Sequence, residues 1–203
     1  MNKNGNCYFF GTFNPPHLGH INLAKRVQRE FNFNKIIFVP AYLPPHKKSL
    51  DFYHRYNMLK LCVDDSFGEV SDIESRLNPP SYTFQTINYL SKSLSKGEKI
   101  PFIIGYDAFI NIKKWKNPEI LKEKIEFIVL KRRSGKDATE EDRVEAIINK
   151  LFDEGYSFKI AKTIDYFDVS SNQIRDLAKN NEDIGNFVDK KVEGYIDAHG
   201  LYR

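Results

Sequence analysis

Gly11-Thr12-Phe13-Asn14-Pro15-Pro16-His17-Leu18-Gly19-His20 is the stretch on which the reading of this chain turns. It follows Cys7-Tyr8-Phe9-Phe10, a short apolar run that reads as a buried strand. It precedes Ile21, Leu23, Ala24 and Val27, which recur at helical spacing. A strand therefore runs into a tight turn, and the turn opens a helix. His17, Gly19 and His20 stand at the helix N-terminus, where unpaired N–H groups and the macrodipole favour anions. Imidazole N–H groups there can donate to phosphate oxygens, and Gly19 lets the backbone approach closely. Taken alone, the stretch also fits a proline turn closed by a histidine cap. Two histidines at this spacing can ligate zinc, but no Cys or carboxylate lies nearby to join them. The segment is neither a Walker A loop nor a GxGxxG fingerprint.

Outward from this turn, strand-like and helix-like runs alternate. Ile36-Ile37-Phe38-Val39, Phe102-Ile103-Ile104 and Phe127-Ile128-Val129-Leu130 are continuous apolar runs, and Glu69 to Glu74 is a candidate further strand. Between them, Tyr56, Leu59, Cys62 and Val63 mark one helix face, and Ile87, Leu90 and Leu94 another within Thr83 to Leu94. A charged helix over about Thr139 to Glu154 reads as a solvated insertion or edge helix. Two closing helices start at Ser171 and near Asp189, with Gly200 as C-cap. Strands without polar alternation are covered on both faces. The expected fold is α/β: a Rossmann-like open parallel sheet with helices on both faces and a small C-terminal helical part. Ligands then bind beyond the carboxyl ends of the strands, after Phe10, Val39, Ile104 and Leu130.

The 203 residues, 41% of them hydrophobic, suit a single domain with a real core. A net charge of +4, with acids and bases interspersed, suits an anionic small molecule at least as well as nucleic acid. The N-terminus carries no signal pattern and no apolar stretch could cross a bilayer, so a cytoplasmic protein is expected. Cys7 and Cys62, each in an apolar setting, read as buried free thiols. His54 and His199 read as structural.

A second motif is Val169-Ser170-Ser171-Asn172-Gln173-Ile174-Arg175. Ser170 or Ser171 makes a good N-cap before Ile174, Leu177 and Ala178. Ser171 and Arg175 are one turn apart on one face, so hydroxyl, free amides and guanidinium converge on one point. By itself this is an ordinary capped helix with a surface arginine.

Together the two motifs resemble the nucleotidyltransferase superfamily, and most nearly the bacterial nicotinate-nucleotide adenylyltransferases. The resemblance spans almost the whole chain. It takes in Gly11 to His20, Pro44-Pro45-His46-Lys47, Pro80-Ser81-Tyr82-Thr83-Phe84, Phe102-Ile103-Ile104-Gly105-Tyr106-Asp107, Lys114-Trp115, Val169 to Arg175, and Gly200-Leu201-Tyr202. The departures are Phe10 for a glycine, Asn14 for a common Asp, Gln85 for an Asp, Tyr106 for a small residue, Asn172 for a Thr, and Arg132-Arg133-Ser134-Gly135 for an Arg-Pro-Gly turn. Phe10 and Tyr106 would crowd the nucleotide cleft if they point inward.

The resemblance implies one nucleotidyltransferase domain over residues 1–203, in which helices from about residue 170 complete the phosphate site. It implies an enzyme of NAD biosynthesis that joins ATP and nicotinate mononucleotide to give nicotinate adenine dinucleotide and pyrophosphate. His17, His20 and Arg175 would be catalytic. ATP would be bound by Gly11, Thr12, Phe13, Gly19, Gly105, Asp107, Ser170 and Ser171. Asp107, just past a strand end, can accept from ribose hydroxyls or cap a helix. The mononucleotide would meet Trp115 by stacking, the Tyr82 and Thr83 amides through its carboxylate, and His46 and Lys47 on a loop. The cofactor would be Mg²⁺ carried by ATP, with no protein metal ligand. No nucleic acid or membrane partner is expected, and a homo-oligomer is compatible. The rivals are the same reaction on nicotinamide mononucleotide, a cytidylyl- or pantetheine-phosphate-directed relative, and a nucleotide-binding regulator without turnover. An RNA-binding role is disfavoured by the short length and absent lysine-rich signature loop.

Overall fold

The computed structural model describes residues 5–46, 48–130, 138–162 and 169–203, with backbone alone at 138–145. The chain divides into two compact units, Met1–Ser81 with Tyr166–Arg203, and Tyr82–Asp165.

In the first unit, β1 (Cys7–Gly11) leads through the motif turn to α1 (Leu18–Glu30), then β2 (Ile36–Pro40), α2 (Phe52–Cys62) and β3 (Gly68–Val70). The strands lie in the order β3-β2-β1 and pair parallel, with Cys7 opposite Ile36 and Ile36 opposite Gly68. Every residue of β2 is buried, which requires cover on both faces of this sheet. Ile21, Leu23, Ala24 and Val27 of α1 are buried, as their spacing predicts. The third strand is shorter than Glu69 to Glu74, because Ile73–Arg76 turns into a 3₁₀ helix. The buried face of α2 is Phe52, Arg55, Met58 and Leu59, rotated from the expected face. Later come α7 (Ser171–Lys179) and α8 (Lys190–Ala198), capped by the side chains of Ser170 and Asp189. Ile174, Ala178, Ile184, Val188, Val192 and Ile196 pack with Met58 in one apolar cluster.

In the second unit, α3 (Thr83–Leu90) precedes β4 (Ile100–Gly105), α4 (Tyr106–Phe109), α5 (Pro118–Lys124), β5 (Ile125–Leu130), α6 (Ala138–Asp153) and β6 (Ser157–Ala161). Here the order is β4-β5-β6, again parallel, with Ile100 opposite Ile125 and Phe127 opposite Phe158. The expected charged helix is α6. The strand after it was not foreseen: Lys159 and Ile160 are both exposed, so β6 lacks the continuous apolar run of the others. The α/β class with parallel, helix-covered strands is as expected. Arg132 to Gly135 lie outside the described residues.

Both cysteines are free; Cys7 is buried as expected, whereas Cys62 is only half-buried, enough to push its thiol up to about 12. No helix among the described residues is long and apolar enough to cross a membrane. His54 and His199 share one surface cluster, the former 3.0 Å from the Tyr195 hydroxyl and the latter with Tyr195 stacked at 4.0 Å.

Candidate active site

The first unit builds a turn rich in N–H donors at the carboxyl end of β1. The chain leaves Gly11, passes Phe13 in the left-handed region (φ 50°), and crosses a cis Asn14–Pro15 bond before α1. A bulky residue at positive φ is uncommon and persists only where its surroundings hold it. Phe13 is 2% exposed and meets Phe9 edge-on at 5.4 Å and Phe38 at 5.9 Å. Gly11 makes room for that ring, since an added Cβ would come within 2.9 Å of Phe13 Cζ. Phe13 in turn lies 5.0 Å from the His20 ring, edge to face, and so orients it.

His20 has a defined tautomer. The His17 backbone N–H donates to His20 Nδ1 at 3.2 Å, so the neutral ring carries its proton on Nε2 and is a donor there. The two rings lie 3.6 Å apart, tilted by 34°. His17 is buried, and its Nδ1 has no hydrogen-bond partner among the described residues. Burial lowers the His17 pKa from 6.5 to about 4; burial and the neighbouring His17 hold His20 well below the ordinary value. Both rings are therefore neutral at pH 7, and they stay so at the lower pH where exposed histidines take up a proton. At the start of α1 the Leu18 amide is taken by the Phe187 carbonyl at 2.8 Å. No acceptor among the described residues meets the Gly19 amide.

These shifts have a measurable consequence. Stability from a neutral His17 is complete above the unfolded value of 6.5 and is lost as pH falls toward about 4. A triphosphate beside the ring would favour the imidazolium and reverse the shift. The His17 ring-proton resonance is expected to titrate near pH 4 in the free chain, with a higher midpoint once ATP is added. A free-chain midpoint near 6.5 would contradict the burial argument.

The second motif is strapped onto the first. Ser170, not Ser171, is the cap of α7: its Oγ accepts from the Gln173 amide at 3.2 Å. Ser171 Oγ donates to the Pro15 carbonyl at 2.9 Å. Arg175 donates to the Asn14 and Ser171 carbonyls at 2.8 and 3.1 Å and to Asn172 Oδ1 at 2.7 Å. These acceptors are uncharged, so the guanidinium keeps its charge for an anion. The Ser171 hydroxyl is taken by Pro15 and the Gln173 amide by Ser170, and no acceptor among the described residues meets the Ser171 and Asn172 amides, which are the donors left at this helix start. The structure thus joins His17, His20, Ser171 and Arg175 within one unit.

Arg55 is a residue that sequence patterning missed. It is fully buried (0% exposed). Its guanidinium donates to the carbonyls of Leu50 and Thr12 at 2.8 Å each, Ala41 at 2.7 Å and Tyr42 at 3.2 Å. One fork thus fastens the motif turn to the loop after β2. Its position on the apolar stripe of α2, three residues before Met58, was the available signal. On that loop His46 is exposed, and Lys47 lies outside the described residues.

The second unit carries the other expected contacts. Gly105 caps α4, so Asp107 is not the cap; it is an exposed carboxylate one residue into that helix. A Cβ at Gly105 would meet open space. Tyr106 is buried, and burial raises its phenol to about 12. In the first unit, Phe10 shares the Tyr8 face of β1, their rings 6.5 Å apart, while Phe9 faces His20. Phe10 therefore does not crowd the His20 side.

Tyr82 caps α3, and its amide donates to Gln85 Oε1 at 3.3 Å, so the Thr83 amide is the more open of the expected pair. Trp115 is partly exposed rather than a core anchor. Lys116 Nζ sits 4.3 Å from the Tyr82 ring centre, which joins the Trp115 segment to the start of α3. Lys116 was not anticipated, although it adjoins Lys114-Trp115. Among the described residues no three His, Cys, Asp or Glu side chains group as a metal site.

A cytidylyltransferase-like family model matches residues 8–177. A probable nicotinate-nucleotide adenylyltransferase of Caldicellulosiruptor saccharolyticus is 36% identical over 96% of this chain and 97% of its own. One of Clostridium tetani is 35% identical over the same shares. In fold, the Plasmodium falciparum nicotinic acid mononucleotide adenylyltransferase complexed with NaAD matches with a TM-score of 0.78 at 20% identity, covering 99% of this chain and 98% of that one. The matched span runs from β1 into α7 and includes both the His17–His20 turn and the Ser170–Arg175 helix start. On that full-length agreement the chain belongs to the cytidylyltransferase-like family and, within it, to the nicotinate-nucleotide adenylyltransferases.

Proposed function

We propose that this chain transfers the adenylyl group of ATP to nicotinate mononucleotide, yielding nicotinate adenine dinucleotide and pyrophosphate in NAD biosynthesis. The observation that carries the reading is the His17–His20 pair at the start of α1, with Arg175 hydrogen-bonded to the Asn14 carbonyl of the same turn. A phosphate oxygen of the mononucleotide attacks the α-phosphorus in line; the bond to the bridging oxygen breaks and pyrophosphate leaves. No protein nucleophile takes part, so catalysis is positioning and stabilisation of phosphate charge. His20 Nε2–H, His17, Arg175 and the amides of Gly19, Ser171 and Asn172 supply the donors. Gly11, Thr12, Phe13 and Ser170 shape the ATP cradle, and Gly105 and Asp107 serve the ribose. Mg²⁺ carried by ATP would supply neutralisation of phosphate charge. The cradle's N–H donors and guanidinium fit phosphate oxygens rather than a cation, so substrate and water would hold such a metal. The two free thiols suit a reducing cytoplasm.

Trp115 stacks on the pyridine ring, while the carboxylate meets Tyr82 and Thr83 at the start of α3, with Lys116 adding positive charge. His46 and Lys47 are further mononucleotide contacts. A neutral amide forfeits a charge-assisted contact of about 1.5–3 kcal/mol, so the acid is expected to be used about ten- to a hundredfold more efficiently. Pyrophosphate release measured with each mononucleotide at one ATP concentration tests this. A ratio near one, or one favouring the amide, would overturn the carboxylate pocket and leave adenylyl transfer standing. No pyrophosphate with either would overturn the reaction itself.

A further inference from the structure

The last turn of the chain closes onto the first motif. α8 ends in a Schellman turn: the Leu201 amide donates to Ile196 at 3.0 Å and the Gly200 amide to Asp197 at 3.2 Å. Gly200 supplies the required positive φ of 58°. That turn drives Leu201 into the apolar cluster of α2, α7 and α8. It leaves Tyr202 also left-handed, at φ 65°. The Tyr202 hydroxyl then donates to Asn14 Oδ1 at 2.8 Å.

Asn14 is a junction. It is 6% exposed and sits between left-handed Phe13 and Pro15. Its Oδ1 also accepts from the Leu50 amide at 3.4 Å, which fixes the orientation of the carboxamide. Its own carbonyl accepts from Arg175. Burial holds the Tyr202 phenol above its usual range, against the opposing pull of Arg175 and Arg55, so it donates throughout the working pH range. Leu201 already anchors the C-terminal helix by apolar packing. The Tyr202 hydroxyl contributes nothing to that packing; what it adds is a hold on Asn14.

We propose that Tyr202 is a positioning residue for adenylyl transfer: its hydroxyl holds Asn14, and through the Asn14 carbonyl it sets where Arg175 presents its charge to the triphosphate. The inference rests on Arg175 being a phosphate ligand, as in the function proposed above.

Tyr202→Phe keeps the ring and deletes only the donor. ATP affinity by calorimetry with Mg²⁺, pyrophosphate release and thermal unfolding are compared for wild type, Tyr202→Phe, Arg175→Lys and the double variant. Tyr202→Phe is expected to stay folded and to lose about tenfold in ATP affinity and in kcat/KM for ATP, with KM for the mononucleotide unchanged. The loss should shrink in the Arg175→Lys background, because the two residues act as one unit. Wild-type ATP affinity in Tyr202→Phe, or the same fold-loss in both backgrounds, overturns the proposal. A wild-type chain that binds ATP but releases no pyrophosphate sinks the reaction reading, while the binding cycle still decides the role of Tyr202.

Discussion

Replacing His20 by alanine is expected to lower turnover by about a hundredfold or more while the chain stays folded. The ring is a preorganised donor. Its Nδ1 is occupied by the His17 amide and its edge contact with Phe13 fixes its plane, so Nε2–H needs no reorganisation when phosphate charge develops. Loss of one such donor in other enzymes costs about a hundred- to a thousandfold in rate. The ring is only partly buried and opens a helix, so the variant gives up its contacts with the Phe13 and His17 rings and one hydrogen bond from the His17 amide. Steady-state pyrophosphate release, with circular dichroism as the folding control, measures the effect. A folded variant with near-normal turnover would remove His20 from the mechanism.

Arg55→Ala is expected to be the most destabilising single change in the first unit. Four carbonyls, from Leu50, Thr12, Ala41 and Tyr42, lose a donor whose own side chain is fully buried. Each shielded carbonyl left without a donor costs about 1–3 kcal/mol, so the loss of several implies a fall of about 10 °C or more in Tm for a chain of this size. Arg55→Lys should recover only part, because one ammonium cannot span acceptors from three separate segments in the fork geometry. Thermal unfolding reads both variants. An unchanged Tm for Arg55→Ala would mean that water replaces the fork and that the site is less closed than its burial implies.

What was legible in the sequence was what neighbours along the chain decide. Continuous apolar runs gave β1, β2, β4 and β5, and helical spacing picked out Ile21, Leu23, Ala24 and Val27 as the buried face of α1. Cap chemistry placed the start of α7 to within a residue, because a hydroxyl two or three positions before free amides acts locally. β6 was missed because an edge strand exposes Lys159 and Ile160 and so carries no run of apolar residues. The face of α2 was misplaced because a buried arginine reads as a solvent residue until its acceptors are known.

The site divides the same way. By itself, the sequence showed two helix starts rich in N–H donors, histidine, serine and arginine, because helix-terminal amides and side-chain types are local properties; that the two serve one phosphate chemistry was implied by the family resemblance. Only the tertiary structure decided which donors are left for a ligand. The neutrality of His17 and the Ser171 hydroxyl bound to Pro15 follow from burial and from a distant acceptor. Arg55 reaches 43 positions back to Thr12, and Tyr202 reaches 188 back to Asn14. Hydrogen bonds of that span exist only after the core has packed, because closing such loops costs entropy that no local preference repays.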